Sequence, residues 1–189
     1  ADSAVLSLFF TYALERTHDT SSHVRRRALL YLQEFVFKGC LPPAVDVTAQ
    51  LQACTHRLAE EGVSENEPPT SPSPAVAALL RERQMLRSAQ TLHARLVEEL
   101  PHLRKLLYSK IQGDVLETLR LLHVIELCRF ESDWPHLRSA VALVFARDRA
   151  VKAELLKVFH KHMVSDAPPD EVVERLAGFY ARCDLNEQL

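Results

Sequence analysis

The sequence predicts an all-α protein, an α-solenoid of about nine stacked antiparallel helices. Three observations predict it. Glycine is scarce, with four residues against ten prolines in a chain of 189, where average usage of about 7% would give roughly thirteen. Tight hairpin turns lean on glycine at positive φ, so a hairpin-rich sheet is disfavoured. Apolar residues also recur at helical spacing through most of the chain. Many of these segments carry stripes broad enough to need neighbours on more than one side, which stacked helix pairs supply.

The elements follow in order. Val5, Leu8, Phe9, Tyr12 and Ala13 place a first helix up to about Arg16. The polar run Thr17–Ser22 ends it, and Ser21 or Ser22 can cap a second helix carrying Val24, Ala28, Leu32 and Phe35. Gly39 closes that helix, and Pro42-Pro43 prevents its continuation. A third helix spans about Val45–Glu61, with Val47, Leu51, Cys54 and Leu58 on one face. These helices form a first block, 1–61. Residues 62–74 (GVSENEPPTSPSP) hold hardly any large apolar side chain and read as a flexible surface loop.

Helix returns over about Ala75–Glu99, and Pro101 marks a break or a new first turn. Leu103, Leu106, Leu107 and Ile111 continue the stripe to Gly113-Asp114. Val115, Leu119, Leu122 and Ile125 mark the next helix, and Asp133 can cap one bearing Leu137, Val141, Val144 and Phe145. Asp148 precedes a helix with Val151, Leu155, Val158 and Phe159. Pro168-Pro169 opens the last one, with Val172, Val173, Leu176, Phe179 and Tyr180 inward and Gly178 where helices approach closely. The block 75–189 thus continues the same solenoid.

Two segments are alike: Asp19-x4-Val24-Arg25-x2-Ala28-Leu29-x2-Leu32 and Asp148-x2-Val151-Lys152-x2-Leu155-Leu156-x2-Phe159. Each sets an acidic turn residue before a valine and a basic residue at a helix start. The spacing predicts turn pairs Asp19–Arg25 and Asp148–Lys152, a ladder within stacked units. The pattern resembles HEAT repeats. Longer strings resemble a more particular family. Leu14-Glu15-Arg16-Thr17-His18-Asp19 with Val24-Arg25-Arg26-Arg27-Ala28-Leu29 is one. Leu107-Tyr108-Ser109-Lys110 with Gly113-Asp114-Val115-Leu116-Glu117-Thr118 is another. Phe145-Ala146-Arg147-Asp148-Arg149-Ala150-Val151-Lys152 is the third. In order and spacing they are similar to the condensin complex subunit 1 family, the non-SMC HEAT-repeat regulatory subunit of condensin. Phe145-Ala146 stands where that family usually has Trp-Ser, and Pro135-His136-Leu137-Arg138 replaces its Gly-Ile-Arg stretch. The resemblance does not separate the condensin I subunit from its condensin II counterpart. It implies an internal part of a longer solenoid that binds the kleisin and SMC subunits, contributes to DNA engagement and works on chromosomes in the nucleus.

Catalysis is not expected, and neither is a cofactor or a metal. Four glycines leave no room for a phosphate-binding glycine loop. No GxSxG or HExxH motif occurs. His160 and His162 are two residues apart, so a helix turns them to opposite sides. His18 and His23 flank a turn without further ligands. The cysteines, Cys40, Cys54, Cys128 and Cys183, form no CxxC pair and read as free thiols in a reducing compartment. No run of 18 apolar residues occurs, so no membrane partner is expected. Ala1-Asp2-Ser3 has no signal-peptide character, and the missing methionine fits a piece of a longer protein.

Charge points to a surface instead. Formal net charge is -2, but residues 75–163 hold 15 Lys and Arg against 10 Asp and Glu. Arg81, Arg83, Arg87, Arg95, Arg104, Lys105 and Lys110 are concentrated there. With Arg26 and Arg27 they are the candidate contacts to double-stranded DNA or an acidic partner, weak and salt-dependent. A solvated helical face is the plainer alternative. Trp134, beside Pro135, reads as a packing contact at a helix start. Two other functional readings stay open. One is an adaptor of HEAT or armadillo type that binds an extended peptide without DNA, and the other is a compact helical bundle.

Overall fold

The computed structural model describes residues 3–38, 44–63, 72–127, 135–165 and 167–183. All regular structure among them is helical: α1 (Ser3–Arg16), α2 (Ser22–Phe37), α3 (Ala44–Glu60), α4 (Pro74–Leu106), α5 (Gln112–Leu127), α6 (Pro135–Ala140), α7 (Arg149–Phe159) and α8 (Pro169–Ala181). A 3₁₀ turn, Val141–Phe145, extends α6, and a π turn, His160–Val164, extends α7. Among the described residues eight α-helices stand where about nine were expected, because one helix runs straight through Pro101.

That merger has a physical reason. Pro101 has no N–H for the Val97 carbonyl and crowds it, a cost of about 3 kcal/mol in a helix interior. Pro101 and Val97 are both exposed, so water can take the freed carbonyl. On the opposite side Leu96, Leu100, Leu103 and Leu107 are at most 1% exposed. Each buried leucine is worth about 1.5–3 kcal/mol, and four of them outweigh the break. Pro101→Ala is therefore expected to raise stability by about 1–2 kcal/mol, less than the full helix cost because proline also restricts the unfolded chain. Urea denaturation checks this, and a lowered midpoint would show that the proline's shape is needed for α4 to dock.

Helix ends use the local chemistry of their residues. The hydroxyl of Ser73 accepts from the Val76 N–H at 3.3 Å at the start of α4. Gly62, at φ 74°, ends α3. Its N–H donates to Ala59 O (3.0 Å), and the Val63 N–H donates to Leu58 O (2.9 Å). This is the six-to-one, five-to-two closure that favours glycine, so the expected loop 62–74 begins as an ordered cap. Its centre, residues 64–71, lies outside the described residues, as do Cys40, Cys128, Asp133 and Trp134.

Most of the helices pack on several neighbours. α1 packs on α2 and α4, α2 on α5, and α5 on α7, while α3 lies along α4. α5 also touches α4 and α6. It is accordingly buried on most sides, with Val115, Leu119, Leu121, Leu122 and Ile125 in the core together with Asp114, Glu117, Thr118 and Glu126. Of the polar members, Glu126 Oε1 accepts from the Leu137 N–H at 3.3 Å, at the start of α6, whereas the Thr118 hydroxyl and Asp114 Oδ1 have no partner among the described residues.

Several expected inward faces differ. In α1 the core residues are Phe10, Ala13 and Leu14, whereas Val5, Leu8, Phe9 and Tyr12 are exposed. In α8 only Phe179 is buried, against the edge of Phe159, while Val173, Leu176 and Tyr180 are exposed. Val144 and Phe145 also face outward. Close packing does not explain Gly178, since the nearest group to a Cβ there would be the Arg182 guanidinium on the same helix.

Candidate functional surface

The two turn pairs expected from the repeat form differently. Arg25 does not bond the Asp19 carboxylate. Its Nη1 donates to the carbonyl oxygens of Asp19 (2.7 Å) and Thr20 (2.9 Å). Its Nε donates to Asp114 Oδ2 at 3.0 Å, and Nη2 bonds the same oxygen. Asp114 is fully buried and also accepts from Ser109 Oγ (3.2 Å). The rung therefore crosses from α2 to α5 instead of closing within one turn. The Asp19 carboxylate instead accepts from the Ser21 N–H at 2.8 Å and faces Arg16 at 3.5 Å. A short turn leaves that carboxylate better placed for the nearby backbone than for a guanidinium already held by two carbonyls.

Asp148 is likewise a cap. Its Oδ1 accepts from the N–H groups of Ala150 (2.7 Å) and Val151 (3.1 Å). Lys152 is exposed; its backbone N–H donates to Asp148 O at 3.2 Å, and no ion pair joins the two side chains. Asp148→Ala should therefore destabilise by about 1 kcal/mol, while Asp148→Asn keeps most of the cap. Thermal melts of both variants, with Lys152→Ala as the comparison, check it. An equal loss in Lys152→Ala would restore the expected pair.

A second polar row crosses the same helices. Gln33 on α2 donates to Glu117 O (2.9 Å) and Oε2 (3.2 Å) on α5. Arg120 bridges Glu117 (3.0 Å) and Glu154 on α7 (3.4 Å). Sequence reasoning had no signal for this row, because its members lie far apart along the chain.

Histidines make two close pairs. At the end of α1, His18 stacks on His102 at 3.6 Å, bonds Glu99 Oε2 at 2.7 Å, and leaves His102 Nε2 to donate to Thr17 O at 3.2 Å. Burial pushes His102 below the ordinary histidine range against the opposing pull of the Thr17 carbonyl, and His18 adds to the lowering. Between α5 and the π turn, His123 Nδ1 and His162 Nε2 share a hydrogen bond of 2.8 Å. Among the described residues no group of three His, Cys, Asp or Glu side chains is placed to hold a metal. No helix among them is long and apolar enough to cross a membrane. Cys54 is buried, donates to Leu79 O at 3.3 Å, and is pushed up by burial.

The candidate basic residues are dispersed in space. Arg26 lies against Gly113, where an added Cβ would meet its side chain at 2.7 Å. Arg27 is exposed and borders an apolar groove of about 300 Å³ between α1 and α2, together with Phe9, Tyr12, Arg16 and Tyr31. Arg81 sits about 200° around α4 from Arg83. Arg104 and Lys105 belong to the last turn of α4, beyond Pro101, and Lys110 to the turn before α5. Of the set, Arg83 and Arg87 are brought together, lining one cavity of about 470 Å³. Arg95 joins the adjoining cavity of about 370 Å³ with Thr11 of α1.

No known protein-family model matches the chain, and no curated protein matches it significantly.

Proposed function

We propose that the chain is a HEAT-type α-solenoid that serves as a non-catalytic scaffold of a condensin-type chromosome-organising complex. It holds kleisin and SMC subunits and contributes to DNA engagement. One observation carries the reading. The three strings that resemble the condensin family fall at equivalent places, the turn and first helical turn of α2, α5 and α7. Those three helices are neighbours in that order. Pairs α1/α2 and α4/α5, then α6 with its 3₁₀ turn and α7, are the successive units, and Arg25–Asp114 is a rung between the first two. Exposed apolar side chains at both ends of the row, Phe9 and Tyr12 on α1 and Val173 and Tyr180 on α8, suit an array in which each unit leans on a neighbour.

Co-expression of the full-length protein carrying this chain with the kleisin subunit tests the assignment. Stable co-purification is expected, and failure to capture any kleisin would sink it. A second reading, an adaptor for an extended peptide, draws on the α1/α2 groove, whose aromatic walls and bordering Arg16 and Arg27 suit an apolar segment with an acidic side chain. The adaptor binds no duplex DNA at low salt, whereas the scaffold binds it with an affinity that falls steeply as salt rises. Small-angle scattering separates both from a compact bundle, which would scatter as a sphere.

A further inference from the structure

We propose that the apolar groove between α1 and α2 takes the exposed face of α8 from a second copy of this chain, a head-to-tail contact between the two ends of the row. The contact does not depend on the condensin reading. It gives the groove a different occupant from the extended peptide considered above.

Two facing stripes build the groove. α1 supplies Phe9, Tyr12 and Arg16, and α2 supplies Val24, Arg27 and Tyr31. Its floor is low because Ala13 and Ala28 are small and buried. A short turn joins the two helices and Phe10 meets Phe35, so they run antiparallel. Arg16 and Arg27 therefore stand toward the turn, and Phe9 and Tyr31 toward the other end. Arg16 lies over the Tyr12 ring at 4.9 Å, which holds its guanidinium at the rim. Arg27 is exposed and has no ion pair among the described residues. No acidic side chain is among the described lining residues.

α8 carries the complement. Its Phe179 turns inward against Phe159, while Val173, Leu176 and Tyr180 are 65%, 44% and 74% exposed. These three recur at i, i+3 and i+7, the spacing of a helix that seats in a groove. From Val173 to Tyr180 the helix rises about 10.5 Å. The same interval separates Phe9 from Arg16 and Val24 from Tyr31. Ala177, exposed beside the stripe, lets the helix axes approach closely. Asp170 and Glu174 flank the stripe toward its N-terminal end, exposed and without an ion pair among the described residues. The basic residue within α8, Arg175, is held by Glu171 and by the His162 carbonyl.

Charge sets the direction. The acidic end of α8 meets Arg16 and Arg27, and Tyr180 meets Phe9 and Tyr31, so α8 lies antiparallel to α1. Within one molecule α8 leans on the π turn, at the far end of the row from α1, so the contact joins two molecules. Opposite charge, equal span and matching apolar character at the two ends of one chain favour a second copy over an unrelated segment. The contact is heterologous and repeats from copy to copy.

Sedimentation equilibrium of the 189-residue chain tests this. One helix in a groove is at the small end of interface sizes, so the range to cover is about 10–500 µM. The average mass is expected to climb with concentration, and less so at high salt. Arg27→Glu and Glu174→Lys, both at exposed positions, should each raise the concentration of half-association at least about tenfold. Their equimolar mixture should associate as wild type does, because each variant keeps the surface that the other has lost. Tyr180→Ser should also weaken association, and Lys152→Ala on α7 should not. A chain that stays monomeric over the whole range overturns the proposal, as does undiminished association of Arg27→Glu or a mixture no better than its components. A monomeric chain that binds an acidic, apolar peptide, with the binding lost in Arg27→Glu, overturns it in favour of the adaptor.

Discussion

Arg25→Ala is expected to lower the unfolding free energy by about 3–5 kcal/mol, the cost of stranding one member of a buried ion pair. The partner left behind is Asp114, which is fully buried. Without Arg25 its Oδ2 keeps only the Ser109 hydroxyl, and Oδ1 already has no partner among the described residues. Asp114→Ala should cost less, because the Arg25 guanidinium keeps the carbonyls of Asp19 and Thr20. The double change Arg25→Met with Asp114→Leu should recover part of the loss, since two apolar side chains of similar volume remove the desolvated charges together. Equilibrium urea denaturation of wild type, Arg25→Ala, Asp114→Ala and the variant combining those two alanines gives the coupling, and the Met/Leu variant is compared with them. Arg25→Ala within about 1 kcal/mol of wild type would mean that the rung between α2 and α5 is incidental to the packing.

That rung shows what the sequence could reveal and what it could not. The position of Arg25 after a polar turn predicts a carboxylate partner in that turn, Asp19, and the turn supplies two carbonyls instead. The carboxylate lies 89 residues away, in a string singled out for another reason, and nothing local joins the two. The buried face of α7 was legible, with Val151, Leu155 and Val158 in the core, whereas Asp148 caps the helix in place of the expected pair with Lys152. Its polar residues alternate with its apolar ones, so the period names a face. α1 is apolar on nearly every side, so the same period fits both Phe9 and Phe10, and only packing against α2 and α4 buries Phe10 and leaves Phe9 out. The row of Arg83, Arg87 and Arg95 on α4 was half visible. Four-residue spacing was on the page, but the charged stretch also contained Arg81, Arg104 and Lys105, which the turn of the helix sends elsewhere.

Stability should fall as the pH drops from 6.5 toward 4, and the His123–His162 pair should account for much of the fall. His162 is pushed from 6.5 down to about 4, first by burial, then by the neighbouring His123 imidazole and Lys161. His123 is lowered as well, by burial and then Lys157, against the opposing pull of Glu154. The sign follows from which form the fold prefers. Above pH 6.5 both states hold the imidazole neutral, and the stabilisation is complete. Below 6.5 the unfolded chain takes up a proton that the folded chain refuses, so stability declines until the folded group itself titrates near pH 4. Each unit is worth about 1.36 kcal/mol, so the loss from His162 approaches about 3 kcal/mol. Carboxylates titrate in the lower part of this window, so the informative quantity is the difference between wild type and His162→Gln in urea melts at several pH values. Gln keeps a polar group in the middle of the π turn but carries no titratable proton, so its stability should depend less on pH, with the two curves converging toward pH 4. Parallel curves over the whole window would mean that the folded protein protonates His162 as readily as the unfolded chain does, and that the junction between α7 and α8 is insensitive to acid.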